Sequence, residues 1–467
     1  MAEKKDLVVL GGGVGGYTAA FRAADLGRSV TLIEKADVLG GVCLNRGCIP
    51  SKTLLHVVQA MGEAKELKEA GVVFDEPTID IEKIRAHKET TITTLTSGLD
   101  QLCKGRKIER IQGVGTFVNN TTLKVETETG ESEFTFNDLI LAVGSRSVRL
   151  PFLPYEDARI WSSTEALLVP SIPKRLLIIG GGIIGLEMAA IYEGLGSEIT
   201  IVEMTDSIIP PADRDLKQSL LKKIKKRYAG IYTSTQVTKV EALKEHLLVH
   251  LEGKAPLTTV EADVVLVAVG RQGNSDTIAI ENTSIAVGQK GWITVDEKLR
   301  TNVEHIWAIG DVTGDPMLAH RASHQGKVAA EVACKLPSAF TPLSIPSVAY
   351  TDPELAWIGL TEQEAKERGI EYLKAAFPWQ ASGRALTAMS AEGVSKVLFD
   401  PQTKRLLGAG IAGRHAGELI GEAILALEMG AVASDIFLSV HPHPTLSETF
   451  AVAAELSEKV ATDLMNR

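Results

Sequence analysis

Cysteine is scarce in this sequence, and long blocks of charge of one sign are missing. With four cysteines among 467 residues, a framework of structural disulfides is excluded. No low-complexity block is long enough to suggest a disordered tail. The formal charge of -10 is spread along the chain, which argues against nucleic acid or an anionic membrane surface as a partner.

Long apolar runs are missing too. The start, MAEKKDLVVL, reaches glycines after a few apolar residues, and no later segment approaches the ~20 apolar residues of a membrane span. These absences predict a cytosolic protein. In that reducing compartment, neighbouring cysteines are more often redox-active or metal-binding than structural. Length alone suggests about three domains at ~150 residues each.

Two stretches of the chain repeat one another at a constant offset of 169 residues, namely 5–35 and 174–204. Each reads as a short strand, a glycine turn, an Ala-rich helix and a second strand ending in an acid, which is the βαβ dinucleotide fingerprint. The shared positions are Gly11, Gly13, Gly16 and Glu34 in the first copy and Gly180, Gly182, Gly185 and Glu203 in the second. The alternative is a pair of glycine-rich turns without a ligand.

Two fingerprints predict two dinucleotides. The glycines let the backbone approach a pyrophosphate, which sits on the helix N-terminus, and the acid accepts hydrogen bonds from a ribose. A carboxylate at Glu203 repels a 2′-phosphate, so NAD is favoured over NADP. A later strand, in HIWAIGDVTGD, ends at Asp311, which is either a ligand-binding acid or an ordinary turn residue.

After about residue 345 the pattern changes. Alternating stretches at 345–351 and 394–400 predict antiparallel strands, and apolar runs at 417–432 and 445–464 predict helices. The predicted fold class is therefore α/β, with two Rossmann-like dinucleotide-binding domains and a C-terminal α+β domain.

The stretch GGVCLNRGCIPSK places Cys43 and Cys48 five positions apart, directly after the first βαβ unit. Pro50 and the apolar spacing that follows predict a helix, so that its N-terminus and Lys52 would both stabilise a thiolate at Cys48. Such a thiolate could pass electrons to a flavin. The alternatives are two inert buried thiols, or a zinc site that includes His56.

The stretch VHPHPTLSETF places His443 five residues before Glu448. A histidine can take a proton from a substrate thiol, and a carboxylate can orient its ring. Thr445 and Glu448 also have the spacing of a capping box, in which the glutamate merely satisfies a backbone N–H. The residues alone do not decide between these two interpretations.

The combined motifs resemble the dihydrolipoyl dehydrogenase family, within the pyridine nucleotide-disulfide oxidoreductases. They are GGVCLNRGCIPSK, the paired nucleotide units, AIGDVTGDPMLAHRA, YTDPELAWIGLTE and HPHPTLSE, in the same order over essentially the whole chain. The resemblance implies oxidation of protein-bound dihydrolipoyl groups with NAD as acceptor, through a disulfide and FAD. Its implied setting is a 2-oxo acid dehydrogenase or glycine cleavage complex, with lipoyl domains of acyltransferase components as partners.

The resemblance also implies roles for single residues. Cys43 and Cys48 would form the active disulfide, with Cys43 as the interchange thiol that meets substrate and Cys48 as the charge-transfer thiolate facing the flavin. Lys52 and Glu187 would form an ion pair beside the isoalloxazine ring. Taken alone, Glu187 could equally be an exposed helix residue.

Further implied roles concern the cofactors and the partner subunit. Asp311 would hold FAD and Gly270 would contribute to the NAD site. His443 and Glu448 would be the acid–base dyad and would reach the disulfide of the second subunit, so the resemblance implies a homodimer. It implies no metal.

The resemblance divides the chain into four predicted domains. They are an FAD-binding domain with the redox disulfide at 1–147, an NAD-binding domain at 148–274, a central domain completing the FAD site at 275–344 and an interface domain at 345–467.

Two loops depart from the family pattern. The usual GRxPN is GRQGN at 270–274, and AVGS is followed by RSV without the frequent proline. Proline presets turns at such positions. Two other functions stay open: a sister reductase that uses NADPH to reduce glutathione, a related disulfide or mercuric ion, and a flavin-binding scaffold that docks to a multienzyme core.

Overall fold

In a computed structural model, the described part of the chain runs from residue 3 to residue 465. It forms two compact units, each assembled from three separate segments. The first unit contains the residues up to Thr53, Asp80–Arg149 and Gly270–Thr341; the second contains Leu54–Ile79, Leu150–Val269 and the residues from Pro342 onward. Within the described range, none of the helices combines the length and the apolar character that crossing a membrane requires.

A seven-stranded mixed sheet lies at the centre of the first unit. Strand Glu3–Leu10 pairs in parallel with Val30–Glu34 on one side and with Gly130–Leu141 on the other. Its apolar run is buried on both faces, as expected for a parallel strand covered by helices. In spatial order the strands are Glu109–Gln112, Val30–Glu34, Glu3–Leu10, Gly130–Leu141, Thr122–Thr127 and Val114–Asn119, with Ile306–Ala308 also paired to Gly130–Leu141.

Helices of the first unit cover this sheet. They are Val14–Asp25, Gly41–Arg46, the first turns of Cys48–Glu66, Ile81–Gly105 and Ala319–Ala333. Two of them, Val14–Asp25 and Ala319–Ala333, approach each other closely. The glycine at position 326 permits this contact, because a Cβ there would lie 2.5 Å from the carbonyl oxygen of Gly15. Their alanine-rich faces share one hydrophobic core with the strands.

The second unit contains three sheets. Its parallel sheet, in spatial order, is Gly230–Tyr232, Glu198–Val202, Arg175–Ile179, Val264–Val267 and Ile160–Ser162. A three-stranded antiparallel sheet contains Thr235–Ala242, Leu247–Gly253 and Thr259–Ala262. A five-stranded antiparallel sheet contains, in spatial order, Ser347–Ala349, Glu354–Gly359, Leu406–Gly413, Val394–Phe399 and Leu373–Pro378.

The helices of the second unit pack on these sheets. They are the rest of Cys48–Glu66, then Ser163–Leu167, Ile183–Gly194, Arg214–Ile224, Glu362–Arg368, Gly383–Thr387, Ala416–Glu428, Ala433–Phe437 and Glu448–Ser457. The fully buried Trp379 belongs to the core of the five-stranded sheet, where the last three helices also contribute. Short 3-10 turns occur in both units at Leu67–Ala70, Ser275–Thr277, Ile280–Asn282, Gly310–Thr313 and Trp379–Ala381.

The predicted fold class is confirmed, since both repeats form βαβ units whose strands pair in parallel, and an antiparallel α+β region follows. Of the two predicted C-terminal helices, the first is Ala416–Glu428. The second is shorter than its apolar run, because Glu448–Ser457 is closed by Lys459, whose φ of 60° lies outside the helical region. The four-domain division stays a prediction.

Candidate active site

Both glycine turns adopt the same backbone geometry. The first glycine of each copy has a positive φ, 106° at Gly11 and 112° at Gly180, which an L side chain rarely adopts. The third glycine lets the helix approach the turn: a Cβ on Gly16 would lie 1.8 Å from the carbonyl oxygen of Gly11, and the second copy repeats this contact. The protein's own backbone therefore requires glycine at these four positions.

The middle glycine of each copy faces open space instead. A Cβ on Gly182 would meet nothing within 4 Å, and one on Gly13 would have a nearest neighbour at 3.8 Å. Both are N-cap residues whose helices, Val14–Asp25 and Ile183–Gly194, have no side-chain cap and no acid in the first turn. Unpaired N–H groups beside open space fit a pyrophosphate, so the residues present suit two dinucleotides.

The two acids of the repeat occupy equivalent places. Glu34 accepts a hydrogen bond from the N–H of Gly12 at 2.5 Å, and Glu203 accepts one from the N–H of Gly181 at 2.7 Å. Each carboxylate thus lies against its glycine turn, at the carboxyl end of the second strand. In this fold a ligand binds at that end of the sheet.

Replacing Glu203 with glutamine should raise the KM for NAD+ about tenfold. The ribose of NAD would lose a hydrogen bond to a charged carboxylate, and such a bond contributes about 1.5–3 kcal/mol. Discrimination against NADP+ should weaken as well, since the repelling charge is lost. Steady-state kinetics with both nucleotides measure the effect. The equivalent change in the first copy, Glu34→Gln, is the control: it should lower FAD retention and leave the KM for NAD+ unchanged. An unaltered KM in Glu203→Gln would remove this residue from the NAD site.

The two cysteines lie at a junction of helices. Cys43 is in the short helix Gly41–Arg46, and Cys48 is the first residue of Cys48–Glu66, as the sequence predicts. Both are half-buried thiols in the structure, which does not suit the interpretation as inert core residues. A hydrogen bond to Cys48, burial and the negative charge of Cys48 raise the pKa of the Cys43 thiol well above its usual value, against the opposing effect of Lys52. Cys48 is the first residue of its helix, and the unpaired N–H groups of a helix N-terminus favour a thiolate there.

Potential metal ligands converge elsewhere. Across residues 3–465, one group of three acidic, histidine or cysteine side chains is close enough together to share an ion. Its members are Asp213, Asp215 and Glu362. The ammonium group of Lys396 lies within 3.0 Å of a carboxylate oxygen of each, so a buried lysine balances their charge. Neither the cysteine pair nor His56 belongs to this cluster, and the zinc interpretation gains no support from it.

Asp311 receives a hydrogen bond from a neighbour that the sequence analysis did not identify. The hydroxyl of Ser145 donates to Oδ2 of Asp311, and Nε of Arg271 donates to that hydroxyl at 2.7 Å. A second Arg271 nitrogen donates to the Ser145 carbonyl at 2.8 Å. A hydrogen-bond relay from Arg271 through Ser145 thus fixes the Asp311 carboxylate, while Asp311 itself lies in the 3-10 turn Gly310–Thr313.

This relay occupies the two segments that depart from the family pattern. Residues 145–147 and 271–273 are not loops: they pair as a two-stranded antiparallel ribbon. The expectation of two turns was therefore wrong. Glycine at position 273 keeps the N–H that proline would lack, which suits a paired strand.

Cutting the relay with Ser145→Ala should weaken FAD binding about tenfold, because Asp311 loses a donor that fixes its carboxylate. Flavin release during dialysis, followed by fluorescence, measures this. The matched control is Ser338→Ala, which removes a serine–carboxylate bond of 2.7 Å to Glu331 in the same unit. Equal flavin retention in both variants would contradict the role given to the relay.

His443 and Glu448 form a direct pair. Nδ1 of His443 lies 2.8 Å from Oε1 of Glu448, and the other carboxylate oxygen accepts from the N–H of Thr445 at 2.6 Å. The Glu448 carboxylate thus makes a hydrogen bond expected from each interpretation, one with each oxygen, and the catalytic role of the pair stays a prediction. Of the capping box, the bond from the Thr445 N–H to Glu448 is present, while the helix itself has Ser447 as its N-cap and the Thr445 hydroxyl donates to the Pro442 carbonyl at 2.8 Å. The histidine side chain is 79% exposed, which leaves Nε2 accessible to a substrate.

Glu187 is buried, so the interpretation as an exposed helix residue was wrong. It lies in helix Ile183–Gly194, and its carboxylate accepts a hydrogen bond from the N–H of Tyr350 at 3.2 Å. The predicted ion pair between Lys52 and Glu187 stays a prediction, as does the part of Gly270 in the NAD site. Gly270 has a φ of 119°, and a Cβ there would meet nothing within 4 Å.

The chain matches a known family over most of its length. Residues 5–326 match the pyridine nucleotide-disulphide oxidoreductases, and residues 345–454 match the dimerisation domain of the same proteins. The chain belongs to the pyridine nucleotide-disulphide oxidoreductase family. FAD and NAD, the two predicted cofactors, are those of this family. Its dimerisation domain supports a homodimer.

Relatives within the pyridine nucleotide-disulphide oxidoreductases extend over the full chain. Dihydrolipoyl dehydrogenase from Vibrio cholerae is 50% identical over 464 residues, which cover 99% of this chain and 98% of the relative. The enzyme of the same name from Haemophilus influenzae is 48% identical, with 99% and 97% covered. The one from Bacillus subtilis is 40% identical, with 97% and 96% covered.

Solved structures agree with this assignment. LpdA from Mycobacterium tuberculosis has a TM-score of 0.89 at 25% identity, and the HOCl-induced flavoprotein disulfide reductase RclA from Escherichia coli, in a Cu(II) complex, has 0.87 at 27%. Each comparison covers 97% of this chain and 99% of the other. The predicted family membership and the predicted class of flavoprotein disulfide oxidoreductase are confirmed.

Proposed function

We infer that this chain oxidises protein-bound dihydrolipoyl groups to lipoyl groups and delivers the electrons through FAD to NAD+. One observation carries the conclusion: a thiol pair lies at a helix N-terminus directly after the first nucleotide unit, in a chain that is 50% identical over its length to a dihydrolipoyl dehydrogenase. A disulfide, a flavin site and a nicotinamide site together form a two-electron relay.

The cysteines perform the exchange with substrate. A dihydrolipoyl thiolate attacks the sulfur of Cys43, and the electron pair of the Cys43–Cys48 bond goes to Cys48. The second substrate thiol then displaces Cys43, so that a lipoyl disulfide leaves and the enzyme keeps two reduced cysteines. The place of Cys48 at a helix N-terminus supports this division of labour, because a thiolate is favoured there. Bound FAD supplies the two-electron acceptor that restores the disulfide and the hydride donor for NAD+.

The dyad handles the substrate proton. Glu448 fixes Nδ1 of His443 and leaves Nε2 as the base that takes the thiol proton. Both residues lie inside the segment that matches the dimerisation domain, 345–454. This supports our proposal that they serve the disulfide of the second copy in a homodimer.

The nucleotide sites divide between the two repeats. We propose that Gly11, Gly13, Gly16, Glu34 and Asp311 hold FAD, and that Gly180, Gly182, Gly185, Glu203 and Gly270 hold NAD. The four predicted domains would follow this division, with the interface domain last. The proposed substrates are lipoyl domains of acyltransferase components in 2-oxo acid dehydrogenase or glycine cleavage complexes. A cytosolic location completes the proposal, since carrier and NAD+ have to share a compartment.

An anaerobic titration with dihydrolipoamide tests the function. The flavin spectrum should develop a long-wavelength charge-transfer band, and NAD+ added at the end should yield NADH. A flavin that stays oxidised with dihydrolipoamide but is reduced by NADPH would overturn the proposal and favour the sister reductases.

A further inference from the structure

The loop that carries His443 turns inward at one side chain. Of the seven residues from 438 to 444, six are exposed and His441 is the exception. Val440 is 99% exposed, whereas the side chain of His441 is 12% exposed. The loop therefore follows the surface except where His441 enters the protein, two residues before the proposed base.

Both ring nitrogens of His441 face hydrogen-bond acceptors. Nε2 lies 2.7 Å from Oε1 of Glu422, and Nδ1 lies 2.8 Å from the carbonyl oxygen of Ser439. A backbone carbonyl and an ionised carboxylate can only accept hydrogen bonds. A neutral imidazole has one N–H and could donate to one of them, so both bonds require an imidazolium.

The charges around His441 favour this protonated form. Burial lowers its pKa, but hydrogen bonds to Glu422 and the Ser439 carbonyl, with the negative charges of Glu422 and Glu448, outweigh burial and raise the pKa above its ordinary value. Glu422 and Glu448 are the ionisable groups that face it from the packed helices. Because the folded-state pKa is raised, the stabilisation is present at low pH and is lost as pH rises through that pKa.

Glu422, the carboxylate that holds His441, lies on a helix packed into the hydrophobic core. This helix, Ala416–Glu428, contributes Ile420, Ala423 and Leu427 to that core. The exposed segment follows helix Ala433–Phe437 and leads into Glu448–Ser457, so helices hold both of its ends while its middle is exposed. An imidazolium bonded to Glu422 ties that middle to the core.

We propose that His441 is a positioning residue, an imidazolium held between Glu422 and the Ser439 carbonyl, which keeps His443 and Glu448 aligned for proton transfer. The proposal rests on the proposed function, since alignment matters only if His443 takes a proton from a substrate thiol. It assigns a second His–carboxylate pair to the loop, with a structural task distinct from that of the first.

The variant His441→Phe keeps a ring and removes both donors and the charge. Its kcat/KM for dihydrolipoamide should fall about tenfold, because small displacements of a catalytic group are costly. The acid side of its pH profile should also move. NADH oxidation by ferricyanide, which bypasses the dyad, should stay within about twofold and shows that the variant is folded. The matched control is His250→Phe, which removes another histidine–carboxylate pair, with Nε2 of His250 2.7 Å from Oε1 of Glu241 on the three-stranded sheet. This control should change neither activity.

Two further measurements make the result decisive. Glu422→Gln keeps an acceptor but removes the charge, and should show a similar, smaller loss. NMR of the protein labelled with 15N-histidine should show an imidazole predominantly protonated on both nitrogens at pH 6.5, the ordinary pKa of histidine, and that signal should disappear in His441→Phe. If the unmodified protein does not oxidise dihydrolipoamide, the proposed function fails, and the NMR result still tests His441. A neutral His441 at that pH, or unchanged dihydrolipoamide kinetics in His441→Phe from pH 6 to 9, would overturn the inference.

Discussion

Replacing Cys48 with serine should abolish dihydrolipoamide oxidation, with a loss on the order of 10⁴-fold or more, while FAD stays bound. Cys48 begins helix Cys48–Glu66, where unpaired N–H groups favour a thiolate, and a serine hydroxyl neither ionises there nor forms a disulfide. In the proposed function, Cys48 is the residue that passes electrons from Cys43 to the flavin. Stopped-flow reduction of the flavin by dihydrolipoamide, with the FAD content of the same sample, provides the measurement.

The two active cysteines should differ when they are replaced one at a time. Cys43→Ser should also lose dihydrolipoamide turnover, yet it should keep a long-wavelength charge-transfer band, because in the proposed function Cys48 is the thiolate that faces the flavin. Cys48→Ser should lack that band. The expected difference follows from the place of Cys48 at the N-terminus of helix Cys48–Glu66, which favours a thiolate there.

Cys103→Ser is the matched control for both. Cys103 is buried and its thiol lies 3.9 Å from the carbonyl oxygen of Ile108. This change therefore removes a sulfur without altering the proposed electron transfer from Cys43 and Cys48 to the flavin. It should keep full turnover. Turnover above about 1% in Cys48→Ser would contradict the role proposed for the cysteine pair in carrying electrons to the flavin.

Local patterns predicted the parts of the site that short segments determine by themselves. Glycine spacing, strand, helix and terminal acid lie within about 30 residues in each repeat, and the structure reproduces them at both Gly11 and Gly180. The helix after Pro50 likewise follows from local spacing. These predictions succeeded because the backbone geometry that they require is encoded by adjacent residues.

Contacts between distant segments were not predictable in the same way. Ser145 is 166 residues from Asp311 and 126 from Arg271. No periodicity in the sequence predicts that these three side chains are joined by hydrogen bonds. The bond of His441 to Glu422 joins a loop to a helix 19 residues earlier. A histidine two positions before the proposed base was visible in HPHP, but its charged state depends on acceptors that folding brings to it.

Replacing Glu448 with glutamine should lower dihydrolipoamide turnover about 10²- to 10⁴-fold. One carboxylate oxygen accepts from His443 and the other from the N–H of Thr445. Glutamine has a single acceptor oxygen for these two donors. If that oxygen serves Thr445, the amide NH₂ faces Nδ1 of His443 and moves the ring proton to Nε2, the atom that has to accept the substrate proton. Dihydrolipoamide kinetics across pH, with NADH–ferricyanide activity as a folding check, measure the loss.

A second capping glutamate separates catalysis from helix capping. Glu364 accepts a hydrogen bond from the N–H of Thr361 at 3.0 Å, in a complete capping box without a histidine partner. Glutamine keeps an acceptor oxygen at this position of a capping box, so Glu364→Gln should change the unfolding free energy little and leave turnover intact. Glu448→Gln should show a comparably small change in stability together with the kinetic defect. If the two variants matched in both respects, Glu448 would be a cap alone, and His443 would have to work without an orienting carboxylate.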